Sequence, residues 1–321
     1  MRSSNFTFNA GDGTSLFVYR WLPDSNKKIK AAVHIIHGMG EHAGRYYEFA
    51  QRLTESGYTA YAMDQRGHGR TAEDPEEFGH FADENGWSLV LEDLKKLTGL
   101  IKEQNDGTGI FLFGHSSGSF FSRDYITSDA KSLSGVILSG SATSPKLPGY
   151  FGIVISKYII KKYGPKKQSS IHLKLVFDRY NSFFKPNRTD SDWASRDTIK
   201  VDQLVKDPYC YRTFSSAFYL DLIRTLFRIN NMSNISKIPK DIPILFISGT
   251  QDALGGFKRG ISEVYRKFKK TGIEDVSLKF YQGARHELVN ELNREEVYED
   301  IIEWLDLHLP AWSNSGTEAK I

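Results

Sequence analysis

Six short, mostly apolar runs punctuate this chain: AAVHII, TAYAM, GIFLF, GVILS, IPILFIS and VSLKFY. Most are continuous rather than alternating, as strands buried on both faces require. Segments of helical spacing follow nearly all of them: HAGRYYEFAQRLTESG, SLVLEDLKKLTGLIKEQN, SGSFFSRDYITSDA, GGFKRGISEVYRKFKKTG and REEVYEDIIEWLDLHLP. Ahead of them, NFTFNA and SLFVYRWL alternate around GDGT, which predicts an antiparallel hairpin. A hairpin followed by repeated strand and helix predicts a mostly parallel eight-stranded sheet with helices on both faces.

The rhythm breaks at SPKLPGY and resumes at IPILFISG. Residues 146–240 between them are aromatic and basic, weakly helical and without a clear strand. They read as a helical cap inserted over the carboxyl edge of the sheet, where open α/β sheets bind ligands. The division is then 1–145 with 241–312 as the core, 146–240 as the cap and 313–321 as a loose tail. Charge follows the same division. The insert carries 18 Lys and Arg against 7 Asp and no Glu, a net of +11, while the remainder is −8. That asymmetry makes an anionic membrane surface a candidate transient partner.

The single cysteine, Cys210, forms no internal disulfide. Neither a leader-like apolar run nor a stretch of membrane-spanning length stands out. The expectation is a cytoplasmic protein with at most peripheral membrane contact. No Walker loop, dinucleotide fingerprint, metal-ligand spacing or nucleic-acid motif occurs, so no cofactor, metal or nucleic acid is expected.

Gly114-His115-Ser116-Ser117-Gly118 joins the strand GIFLF to a helix. In a G-x-S-x-G turn of this kind the glycines make room for a strained backbone, and the central hydroxyl is pushed out above the sheet. Ser116 is therefore the candidate nucleophile. Ser117, next in the chain, offers its backbone N–H to a developing oxyanion. A serine needs a base, and the base needs a carboxylate. Asp252 follows the strand IPILFISG and His286 follows VSLKFYQG, both at the carboxyl edge and in the order Ser, Asp, His. Asp275 is the competing acid, but it precedes its strand and so belongs to the opposite edge. The loop His37-Gly38-Met39-Gly40-Glu41-His42 follows the first parallel strand, and by position the Met39 N–H is the second oxyanion donor. Glu41 and His42 read as loop-positioning residues, and Asp64-Gln65-Arg66-Gly67-His68-Gly69-Arg70 as a tight turn packed beneath the site.

The set HGMGEHAGRY, DQRGHGR, GHSSG, GTQD and ARHELVNE resembles the α/β-hydrolase family of monoacylglycerol lipases and bacterial lysophospholipases. The resemblance spans roughly residues 12–310. Two departures stand out: Ser117 replaces the methionine common after the nucleophile, and Thr71 the serine common after RGHG. The resemblance implies the α/β-hydrolase fold with a helical cap and a serine esterase acting on single-chain acyl esters of glycerol or glycerophospholipid. It also implies an acyl channel, for which Tyr150, Phe151, Phe177, Phe183 and Phe218 are the candidate lining residues. A carboxylesterase, thioesterase or aminopeptidase of the same fold is the alternative. A non-catalytic binder would have no need of all three triad residues.

Overall fold

The computed structural model describes residues 1–310 apart from 73, 169–178 and 212. Eight strands form one sheet: β1 (Arg2–Asn9), β2 (Ser15–Leu22), β3 (Ala31–Ile36), β4 (Tyr58–Met63), β5 (Gly109–His115), β6 (Gly135–Ser139), β7 (Ile244–Gly249) and β8 (Val276–Tyr281). Their order is β1-β2-β4-β3-β5-β6-β7-β8. The hairpin β1–β2 is antiparallel, as is the pair β2–β4, and β4 through β8 run parallel. The principal helices are α1 (Tyr47–Glu55), α2 (Gly86–Gln104), α3 (Ser117–Tyr125), α4 (Lys146–Tyr163), α5 (Thr198–Lys206), α6 (Ser216–Ile229), α7 (Arg259–Lys270) and α8 (Arg294–Leu307).

The apolar runs are continuous because both faces of the sheet are covered. Along β5, Ile110 and Leu112 join one core with side chains of α2, α3, α6 and α7. Phe111 and Phe113 join a second core with α1 and α8. The neighbouring strands divide in the same alternation, with Val136 and Leu138 on one side and Ile137 on the other.

The segment between β6 and β7 is helical among the described residues, with one isolated bridge, Gln168 to Ser215. It is not a detached layer. Phe218, Tyr219 and Leu222 of α6 belong to the same core as the strands. Helix α4 then packs on α6 through small residues. A methyl added at Gly152 would lie 2.6 Å from Ile223 Cδ1, and one at Gly149 would lie 2.9 Å from the Phe227 ring. With its small residues turned inward, α4 turns Leu147, Tyr150, Phe151, Val154 and Tyr158 outward, each 59–66% exposed.

Candidate active site

Ser116 lies between the end of β5 and the start of α3 with φ 52° and ψ −121°, a conformation costly for a residue with a side chain. The flanking glycines are required by contact. A methyl at Gly118 would sit 2.0 Å from the Ile36 carbonyl oxygen, and one at Gly114 would sit 2.5 Å from the Gly118 oxygen. The turn is further held by the Ser116 N–H on the Ser139 carbonyl at 2.9 Å and by the Ser119 hydroxyl on the Ser116 carbonyl at 2.6 Å.

Asp252 follows β7 and His286 follows β8, and both are buried. His286 Nδ1 lies 3.1 Å from Asp252 Oδ2. The other carboxylate oxygen accepts the N–H groups of Leu254 and Gly255 at 2.9 and 3.2 Å. Burial would raise the Asp252 pKa, but the facing imidazole and these amides more than offset it, leaving the carboxyl below its ordinary range. Burial would likewise lower His286, yet the Asp252 carboxylate outweighs it and lifts the imidazole above its ordinary value. Gly140, at φ 58°, makes room for the ring: a methyl there would stand 2.9 Å from His286 Cε1. His286 Nε2 is buried with no hydrogen-bond partner among the described residues. It borders a cavity of about 350 Å³ whose walls also include Ser116, Gly38, Met39, Tyr180 and Trp193. Asp275 is elsewhere, paired with His308 Nε2 at 2.9 Å.

The oxyanion-side loop is held donor by donor. The Gly38 N–H goes to Glu41 Oε1 at 2.7 Å, and the Gly40 N–H goes to His68 Nε2 at 3.2 Å. Between them, the Met39 N–H has no protein acceptor among the described residues. The Ser117 N–H opens α3, where no preceding turn supplies a carbonyl. The DQRGHGR turn supports this loop from below. His37 Nδ1 lies 2.7 Å from the Gly38 carbonyl and His68 Nδ1 2.9 Å from that of Arg66. A carbonyl needs a donor, so both Nδ1 atoms carry the proton and both Nε2 atoms accept, His37 from the Gln65 N–H at 3.0 Å. Burial pushes both imidazoles down, His68 to about 4, which keeps them neutral and suited to that role. Asp64 accepts the Ala43 and Arg70 N–H groups at 2.7 Å each.

Three contributors escape sequence reasoning. His115 and Trp193 flank the His286 ring, with centroids 4.8 and 5.0 Å away. Burial holds His115 near pKa 3, so it flanks His286 as a neutral ring. Arg45 bridges Glu41 Oε2 at 2.5 Å and Glu287 Oε2 at 2.6 Å, tying the oxyanion-side loop to the residue after His286. Trp193 lies 93 positions from His286, and no local pattern in WASRD marks it as a partner.

The candidate channel residues are scattered. Tyr150, Phe151 and Phe183 are exposed, and Phe218 is packed in the core against Phe81 and Phe214 at 4.9 and 4.6 Å. None of these four borders the cavity above Ser116. Tyr150 and Phe151 face away from it because small residues, Gly149 and Gly152 among them, occupy the inward face of α4. Phe177 lies outside the described residues.

Comparison with known proteins gives the family. A family model described as serine aminopeptidase, S33, matches residues 27–293. The chain belongs to this α/β-hydrolase family. Among the family's relatives, a monoacylglycerol lipase of Mycolicibacterium smegmatis is 27% identical over 305 residues, covering 94% of this chain and 96% of that protein. A monoglyceride lipase of Rattus norvegicus is 28% identical over 287 residues, covering 88% and 82%. A thermostable carboxyl esterase from Bacillus coagulans, solved in complex with glycerol, superposes with a TM-score of 0.87 at 28% identity, covering 95% and 98%. In this chain Ser116 follows β5, Asp252 follows β7 and His286 follows β8 of one parallel sheet, and Ser116 and His286 border one cavity. No helix among the described residues is long and apolar enough to cross a membrane.

Proposed function

We propose that the protein is a serine hydrolase that cleaves carboxylic esters of single-chain lipids, monoacylglycerol or lysophospholipid, with Ser116, His286 and Asp252 as its triad. The observation that carries this is the buried Asp252–His286 pair, whose unpartnered Nε2 borders the same cavity as Ser116. Ser116 Oγ attacks the ester carbonyl while His286 Nε2 takes its proton. The oxyanion forms against the N–H groups of Met39 and Ser117. The protonated His286 then gives its proton to the departing alcohol, leaving an acyl-serine. Water entering the same position loses a proton to His286 and attacks the acyl carbon; the Oγ–C bond breaks, His286 returns the proton to Ser116 Oγ, and the fatty acid leaves. Among the described residues Nε2 has no hydrogen-bond partner, and the bond from Ser116 forms on substrate binding, as catalytic hydrogen bonds commonly do.

The likeness to known proteins favours a lipid ester over a peptide: the relatives named above as monoacylglycerol and monoglyceride lipases match this chain along most of its length. The outward stripe of α4 beside Lys157, Lys161 and Lys162 supports docking at an anionic membrane surface that supplies the substrate.

A fluorophosphonate probe is expected to label the folded protein at Ser116. Ser116→Ala should abolish labelling and cut kcat by on the order of 10⁶-fold, whereas Ser117→Ala should retain activity because only its backbone is used. Activity that survives in Ser116→Ala and vanishes in Ser117→Ala would reverse the assignment. Rates on monoacylglycerol, lysophospholipid and aminoacyl amides then separate the substrate classes, and a preference for the amide would sink the lipid reading.

A further inference from the structure

A second chemical cluster stands beside the catalytic cavity. His42, at the end of the oxyanion-side loop, meets Asp207 and Cys210 of the insert, and one ligand atom from each lies within 4.8 Å of the others. The geometry is built rather than incidental. Asp207 follows α5 and starts a turn in which its Oδ1 accepts the Tyr209 N–H at 2.9 Å and its carbonyl accepts the Cys210 N–H at 3.1 Å. That turn leaves Oδ2 for His42 Nε2, at 3.0 Å, and brings the thiol to the same side. The three groups are half-buried and supply one nitrogen, one oxygen and one sulfur. That is a borderline-soft set, suited to tetrahedral zinc with one open position. A groove of about 510 Å³ bordered by His42, Tyr47, Lys206 and Asp207 gives access from solvent. Cys210 also borders the cavity above Ser116. The cluster therefore occupies the wall between the two.

We propose that His42, Asp207 and Cys210 form a three-ligand site for a thiophilic divalent cation of the zinc class, with water as the fourth ligand. On binding, the Cys210 thiol releases its proton to solvent and the sulfur bonds the metal. Ligands 165 and 168 positions apart from His42 make no spacing motif, which is why the sequence shows none. The consequence is mechanical. The insert already touches the oxyanion-side loop through the Tyr211 N–H on the Gly40 carbonyl at 3.0 Å. The His42–Asp207 contact is another such tie, and a bound cation adds to both and stabilises the folded chain increasingly as its concentration rises.

The full-length, metal-free protein is titrated with Co²⁺. Because Cys210 is the chain's single cysteine, a thiolate-to-cobalt charge-transfer band has one source. The band is expected to saturate at one ion per chain, to be displaced by Zn²⁺ and to be lost in Cys210→Ser. Substitutions in a ligand's outer partners typically weaken a metal about 10–100-fold, so Asp207→Asn and His42→Gln, which remove ligands, should each weaken Co²⁺ by at least about tenfold. Circular dichroism checks that both variants are folded. No band in the folded protein overturns the proposal. So does saturation at one ion per two chains, or a midpoint unchanged in both Asp207→Asn and His42→Gln.

Discussion

At the scale of single residues, the site is governed by one ion pair whose two members are pushed in opposite directions. Burial acts against the charge on both Asp252 and His286, and each offsets it for the other, so Asp252 is lowered and His286 raised. The base must be neutral to accept the Ser116 proton. The acid limb of kcat/KM should therefore have its midpoint above the ordinary imidazole value of 6.5. Stability runs the other way. A group whose folded pKa is raised stabilises fully below its unfolded pKa and loses that contribution as pH rises through the folded value. Asp252→Asn removes the lifting charge and leaves burial in control. The acid limb should then move below 6.5, while kcat falls by on the order of 10⁴-fold because the imidazole loses its orienting partner. A pH–rate profile of the two proteins checks this, and an unmoved limb would mean that Asp252 does not set the base. What was legible at this scale was the turn at Ser116, because glycines two positions either side leave a local trace. His115 and Trp193 left none: a ring that flanks another across a fold carries no spacing signal.

At the scale of elements, continuous apolar runs made the six strands from β3 to β8 readable, and alternation made the hairpin readable, since each pattern follows from how many faces are covered. Helix α4 is not readable in that way: its Gly149, Gly152 and Ser156 are buried and its large apolar residues face out, so hydrophobicity alone does not give its orientation. An exposed stripe of five large apolar side chains flanked by lysines suits a surface with an apolar interior and anionic heads. Val154→Glu with Tyr158→Glu should reduce binding to phosphatidylserine vesicles in a sedimentation assay. The same pair should leave hydrolysis of a short soluble ester unchanged, since neither residue borders the cavity. Unfolding free energy should stay within roughly 0.5 kcal/mol, as is usual at exposed sites. Wild-type binding should weaken as salt shortens the screening length to about 10 Å at 0.1 M. Vesicle binding that ignores both salt and the substitutions would remove α4 from the interface.

Across the whole molecule, the loops at the carboxyl edge are joined by polar side chains. Arg45, its side chain 10% exposed, holds Glu41 on the oxyanion-side loop and Glu287 beside His286, and Glu287 also accepts from Asn290 Nδ2 at 2.9 Å. The insert joins the same assembly: the Glu287 N–H donates to the Ala194 carbonyl at 2.8 Å and the Ser195 hydroxyl to the Asn290 carbonyl at 2.8 Å. Two carboxylates share one guanidinium. Burial raises Glu41, whereas for Glu287 the upward push of burial is overcome by Arg45, which holds it low. Removing the cation leaves one buried charge with no counterion, so Arg45→Met is expected to cost about 3–5 kcal/mol. Replacing all three members, Arg45→Met with Glu41→Gln and Glu287→Gln, removes the charges together and should recover most of that loss, because an intact buried pair contributes little net stability. Glutamine at 41 keeps an oxygen for the Gly38 N–H, so the loop retains its anchor. Urea unfolding of the single and triple variants, with m-values compared, tests the difference. A triple variant no more stable than Arg45→Met alone would mean that Arg45 stabilises by packing rather than by offsetting charge. The edge would then be held by shape, and the oxyanion-side loop and the base would not be electrostatically coupled.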